Sequence, residues 1–352
     1  MEFGINIFPT GSAVGTIFFA DSLALAEAAD AHGFAHVRSV EHHYRGYGGG
    51  SPNPLLFLAA AAARTARVRL VIGCVVPAFN HPVKIASEIA MLDAISAGRV
   101  EAGFARAFIP AEFDLFEIPV NESSMRFNEG IEQVRLMLAE ESVTCDGDFH
   151  RLDHVTSLPR PVQWPHPPLW IAAVATPQSF AHAGREGFGL MTIPQSPVAL
   201  RDLIAIYRDA WSSSGRRGRG RVMIGFHMVC APTEAEAARV ALPSLDAYQA
   251  ALVGAMSAWR GRASGAYAGY ADVLHRLEQE DGRSLIARRA AWVGDPSHVL
   301  ESVLEYSDSV GGFDVASMQV NFAGIEGRTA LRSMSLFAEE VMPRIPTSAA
   351  TA

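Results

Sequence analysis

Glu41-His42-His43 sets two imidazoles beside a carboxylate. Such groups take up and release protons near neutral pH, which is the work of a general acid or base. Imidazole is also a common metal ligand, but a metal hydrolase built on His42 and His43 needs a third ligand, and none can be placed. The competing structural reading has one His pairing with Glu41 or capping a helix and the other at the surface. Location favours chemistry. The apolar run Phe34 to Val40 reads as a buried strand, and Arg45 to Pro54, with four glycines, reads as the loop after it.

The elements that must position this triplet follow from periodicity. Phe3–Phe8 and Ala35–Val40 are expected strands, and Ser22–His32 between them carries apolar residues at helical spacing up to Gly33. Ser51-Pro52-Asn53-Pro54 opens a helix to Thr65 that is apolar on nearly every side, so it is either deeply buried or meets a second subunit. Val68–Val76 is a continuous apolar run of the kind parallel sheets use. Pro82–Ala97 is a helix and Arg99–Phe104 a fourth strand.

An insertion over 105–168 interrupts the rhythm: a loop from Ala105 to Val120, a helix from Glu122 to Glu140, a hairpin from Val143 to His154 and a proline-rich connector. Strands resume at Leu169–Val174, Phe188–Ile193, Val222–Cys230 and Val315–Phe322, with helices between. Residues 260–289 lack a clean period and are expected to form a mobile excursion. Eight strands alternating with helices predict an α/β fold, a (β/α)8 TIM barrel with insertions, as a single domain over 1–345 with a disordered tail over 346–352. A doubly wound sheet is the competitor, weakened by the lack of G-x-G-x-x-G after the first strand. In a barrel, functional side chains gather at the C-terminal strand ends, where Glu41, His42, His43 and Arg106 all fall.

Composition narrows the partners. The 352 residues carry a net charge of −8, against a nucleic-acid or anionic-membrane partner. Three widely spaced cysteines, Cys74, Cys145 and Cys230, suit a reducing compartment, and no apolar run reaches the roughly 20 residues of a membrane span. The expectation is a soluble cytoplasmic protein, without a signal peptide.

In order along the chain, Phe3-Gly4, Glu41-His42-His43, His81-Pro82, Leu92-Asp93-Ala94-Ile95-Ser96-Ala97-Gly98-Arg99, Val293-Gly294-Asp295-Pro296 and Ser335 to Pro343 resemble the bacterial-luciferase family of flavin-dependent monooxygenases. The resemblance runs over almost the whole length and implies reduced FMN bound without a covalent link at the barrel mouth. There O2 would form a C4a-peroxyflavin that oxidises an apolar or aromatic small molecule. It places the catalytic role on His42, with His43 as its partner and Glu41 either orienting an imidazole or serving the structure. It assigns the flavin phosphate to Arg106 and to Ala175, Thr176, Gln178 and Ser179, although Val174 and Ala175 replace a Glu and a Ser of the luciferase pattern.

The resemblance further puts a cis peptide between Gly73 and Cys74 under the ring, and a mobile lid at 260–289. The family's reactive cysteine after strand four is Ala105 here, and Cys74 reads as a buried small residue rather than a redox thiol. Tyr44, Phe108 and Ile109 are candidates for the substrate pocket. With no reductase domain in sight, a separate NAD(P)H flavin reductase is the implied partner, and a homodimer is expected. The alternatives are a deazaflavin (F420)-dependent hydride-transfer enzyme on the same barrel and a non-catalytic flavin-binding relative.

Overall fold

The computed structural model describes residues 1–11, 15–262 and 264–346. In chain order the elements are β1 (Glu2–Ile7), β2 (Thr10–Gly11), α1 (Thr16–Ala31), β3 (His36–Ser39), β4 (Gly46–Tyr47), α2 (Pro54–Ala62), β5 (Arg69–Val75), α3 (Pro82–Ile95) and β6 (Val100–Phe104). The insertion holds α4 (Pro110–Leu115), α5 (Ser123–Ala139), β7 (Val143–Asp146) and β8 (Arg151–Val155). Then come β9 (Leu169–Ala172), α6 (Pro177–Glu186), β10 (Gly189–Thr192), α7 (Pro197–Ser213), β11 (Val222–Cys230) and α8 (Glu234–Met256). The chain ends with α9 (Tyr270–Leu277), α10 (Gly282–Ala287), β12 (Ala291–Gly294), α11 (Pro296–Ser309), β13 (Val315–Gln319) and α12 (Gly327–Glu340).

Eight strands pair in parallel in the order β10, β9, β6, β5, β3, β1, β13, β11, and the β10–β11 pairing closes them into a barrel. The strands are buried on both faces because helices wrap the outside and side chains fill the inside. Local chemistry sets the helix starts. Asn53 accepts from the Leu55 and Leu56 amides with Pro54 in the first turn, and Asp295 accepts from the His298 amide ahead of Pro296.

The pleat decides what faces the barrel interior. A Cβ at Gly4 would lie 2.2 Å from the His36 ring, and His36 Nε2 lies 2.9 Å from Ser317 Oγ, so these three point inward together. Two residues further along each strand, Asn6 and Arg38 are register partners, as are His227 and Gln319. Asn6, Arg38, His227 and Gln319 therefore form an inward-facing layer nearer the mouth. Below, Glu101 pairs with Arg69 and accepts from Trp170 Nε1 at 2.7 Å, sealing the floor.

Three expectations change. The stretch 105–120 is not a loop throughout: Pro110 opens the helix α4. A strand absent from the periodicity, β12, pairs with His227–Cys230 in the upper half of β11. Within 260–289 the described residues are largely helical, and Tyr267 and Leu274 are buried with Trp259 in one aromatic cluster. Residues 347–352, most of the expected tail, lie outside the described residues.

Candidate active site

Glu41, His42 and His43 leave the end of β3, where the Glu41 amide donates to the Cys74 carbonyl and the His42 amide to that of Ser51. Their side chains then part. Glu41 is buried; its Oε2 accepts from the Val76 amide at 2.8 Å and its Oε1 from Asn80 at 2.9 Å. His43 Nε2 lies 3.1 Å from that same Oε1, and its ring packs edge-on against Phe116. Glu41 and His43 thus tie the end of β3 to the end of β5.

His42 turns the other way. Its Nδ1 lies 3.1 Å from Oε1 of Glu112, and Phe8, Tyr47 and Phe108 surround the ring edge-to-face at centroid distances of 5.5, 5.4 and 5.9 Å. Glu112 is 2% exposed, and the same oxygen accepts from the His43 amide at 2.6 Å and the Tyr44 amide at 3.1 Å. Burial works to raise the Glu112 carboxyl. The His42 hydrogen bond and charge and the two amides outweigh it and hold the group below its ordinary value. An ionised carboxylate only accepts, so Nδ1 carries the hydrogen and Nε2 is left to act, without a partner among the described residues. The two imidazoles bond to different carboxylates and do not converge on one point, which leaves the metal-site reading without geometry.

Glu112 is the site residue that sequence reasoning missed. Its signal was present: Pro110 at the first helical position, and an acid in the first turn of a short helix. Ala107 just before that helix has φ of +60°, a conformation a non-glycine residue holds only where its surroundings impose it.

The remaining expected residues fall in three groups. Gly73–Cys74 is a cis peptide, as expected. Cys74 is buried, and burial pushes its thiol up to about 12, so it is no thiolate at neutral pH. Of the pocket candidates, Phe108 packs on His42, Ile109 is wholly buried, and Tyr44 is half-buried with its amide on Glu112.

Arg106 follows β6, and Ala175 to Ser179 follow the adjacent strand β9. Thr176 is the N-cap of α6 with no side-chain capping bond; Pro177 has no amide hydrogen and the Ser179 amide donates to the Thr176 carbonyl at 2.9 Å, which leaves the Gln178 amide to offer an anion; Gln178 is exposed and Ala175 and Ser179 are half-buried. The Arg106 guanidinium does not touch that turn. It donates to Ser124 Oγ at 2.7 Å and to the Ala266 carbonyl at 2.6 Å, and stacks 4.5 Å from the Tyr267 ring centre. The phosphate expectation thus finds its cation clasped by the segment over the mouth.

Known proteins agree with this architecture. The model of the luciferase-like monooxygenase family matches residues 1–311. The monooxygenase RslO1 of Streptomyces bottropensis is 40% identical, with a TM-score of 0.86 over 97% of this chain and 99% of its own. The 4-hydroxyprotoasukamycin monooxygenase of Streptomyces nodosus subsp. asukaensis is 29% identical over 96% of this chain and 90% of its own. The oxygenating constituent of 3,6-diketocamphane monooxygenase of Pseudomonas putida, solved with FMN, has a TM-score of 0.82 over 99% of both chains at 20% identity, a likeness of fold alone. With the family model spanning most of the barrel, the chain belongs to the luciferase-like monooxygenases.

Proposed function

We propose that this chain is the oxygenase of a two-component flavin-dependent monooxygenase. It takes reduced FMN from a separate NAD(P)H flavin reductase and uses O2 to oxidise an apolar or aromatic small molecule. The observation that carries the reading is the His42–Glu112 pair: an imidazole with one nitrogen fixed by a buried carboxylate and the other free, inside an aromatic box at the barrel mouth. The similarity to RslO1 over the full length supports the reaction class, and the FMN-bound neighbour supports the cofactor.

The residues fit such a group. Unpartnered polar atoms on Asn6 and Gln319 in the inward layer suit the polar edge of a flavin ring. Arg106 and the Gln178 amide at the start of α6 suit its phosphate. When bound, the reduced flavin supplies the electrons that activate O2. His42 Nε2 holds or delivers a proton at the reacting edge; Glu112 fixes the tautomer and balances the imidazolium when it forms. Phe8, Tyr47 and Phe108 exclude water from that nitrogen, and Ala266 and Tyr267 cover Arg106. Glu41 and His43 hold the loop in place.

The decisive experiment supplies reduced FMN or reduced F420 to the purified protein with O2 and a panel of aromatic acceptors. Oxygenated product with FMN alone, lost in His42→Ala with the fold retained, is expected. Hydride transfer with F420 only, or tight flavin binding with no product, overturns the proposal.

A further inference from the structure

Arg38 stands on β3 and faces the barrel interior, where its side chain crosses to the end of β5. Nε and Nη2 donate to the Gly73 carbonyl at 3.0 and 2.7 Å. A Cβ at Gly73 would fall 2.1 Å from Arg38 Nε, so only glycine leaves this path open. Across the barrel, a Cβ at Gly225 would sit 3.5 Å from Nη1, so a second glycine on β11 borders the tip of the guanidinium. Nη1 itself has no hydrogen-bond partner among the described residues.

The charge is as unusual as the placement. Arg38 forms no ion pair among the described residues. The acidic groups that bear on it are the Cys74 thiol and the Tyr248 and Tyr47 phenols. Burial pushes Cys74 up to about 12 and raises both phenols, so all three are neutral at physiological pH. An enclosed guanidinium with only carbonyl partners is costly to keep and gains strongly when an anion arrives.

Its neighbours in the layer add a second observation. Asn6 and Gln319 are 2% and 7% exposed, and each has a side-chain oxygen without a partner. His227, beside Gln319, has a partnerless Nε2, and burial lowers it to about 3, so it is neutral. One cationic donor and two amide acceptors at one level match a ring edge on which an anionic carbonyl adjoins an N–H or O–H.

We propose that Arg38 is an anion receptor inside the barrel, built to recognise a conjugated oxyanion carried by a planar ring. Two sources share that chemistry: the ionised edge of a reduced flavin, and the phenolate or enolate of an aromatic substrate. The first source rests on the proposed flavin function; the second does not.

The test titrates wild type and Arg38→Met with oxidised FMN, with photoreduced FMN under anaerobic conditions, and with 4-nitrophenol, whose ionised form is yellow. If the anion is flavin, the preference of wild type for reduced over oxidised FMN falls by about tenfold or more in the variant, the scale of one lost charge-assisted contact. If it is the substrate, wild type lowers the pKa of bound 4-nitrophenol by about one unit, so that more of it is yellow at a given pH, and the variant does not. Either result supports the proposal. A folded variant, judged by circular dichroism and melting, that changes neither measurement overturns it. Should Arg38→Met not fold, the same titrations of Arg38→Lys and Arg38→Gln decide: the lysine variant retains the preference and the glutamine variant loses it, and equal behaviour of the two overturns the proposal. A wild type that binds neither form of FMN but ionises 4-nitrophenol through Arg38 removes the flavin function and leaves the receptor standing.

Discussion

Nδ1 of His42 and Oε1 of Glu112 are 3.1 Å apart although 70 residues separate them, and that same oxygen also holds the backbone amides of His43 and Tyr44. One buried carboxylate therefore fixes both the imidazole and the loop that carries it. Glu112→Gln keeps the shape and an oxygen for the amides but not the charge. Turnover with reduced FMN is expected to fall about 100-fold, while FMN affinity stays near wild type. A loss confined to FMN affinity would mean that Glu112 serves the cofactor and not the imidazole.

The same variant has a pH signature. The Glu112 carboxyl lies below its ordinary value of 4.5 in the folded chain, so its stabilisation is present above 4.5 and is lost as pH falls through the lowered value. The melting-temperature gap between wild type and Glu112→Gln is expected to be full at pH 7 and to close in strong acid. A gap of constant size down to the lowest accessible pH would assign the loss to packing instead of charge.

Arg106 is placed to serve both a phosphate and the segment over the mouth. Arg106→Met should weaken FMN binding by about 10- to 100-fold, as expected for losing a charge-assisted contact, and leave riboflavin binding unchanged because riboflavin has no phosphate. Since the guanidinium also holds Ala266 and Tyr267, the 257–277 segment of the variant should be cut faster by trypsin at Arg260 and Arg262. Equal losses for riboflavin and FMN would move the phosphate elsewhere.

His36 offers an acid-stability test remote from the mouth. Burial, with the Arg38 and Arg221 charges, lowers it from 6.5 to about 3. Between those values the unfolded chain binds a proton that the folded chain does not, so stability rises with pH and is full above 6.5. His36→Asn should flatten the urea-unfolding stability between pH 4 and 6 by up to about 1.4 kcal/mol per pH unit. An unchanged slope would show that His36 is protonated in the fold.

The barrel was legible because strand-like runs, of which Val68–Val76 is continuously apolar, alternate with helical periods along the chain, and β10 follows the Gly187 stop of α6. The ends of strands locate Glu41, His42, His43 and Arg106 without any structure. What sequence could not supply was partnership. Glu112 lies 70 residues beyond His42, on a helix of six residues that is too short to show a period. Arg38 carries no signal in its own strand, because the glycines that make room for it, Gly73 and Gly225, lie on two other strands. β12 was hidden for a related reason: four residues are too few to show a period, and the extended end of β11 is what gives them a partner.

The apolar helix α2 yields the last prediction. Leu56 is 74% exposed on it, and Met91 and Ile95, at 57% and 51%, are exposed on α3, which packs beside it. A helix that already buries Leu55, Leu58, Ala61 and Ala62 against the barrel has no internal use for a further outward leucine. Covering this face with the same face of a second copy is the symmetric way to remove it from water. A dimer is expected from light scattering at micromolar concentration. Leu56→Glu combined with Met91→Glu should shift it to monomer while circular dichroism stays that of a folded barrel. Scattering that gives a monomer for wild type, or a dimer untouched by both charges, would place any self-association on another face.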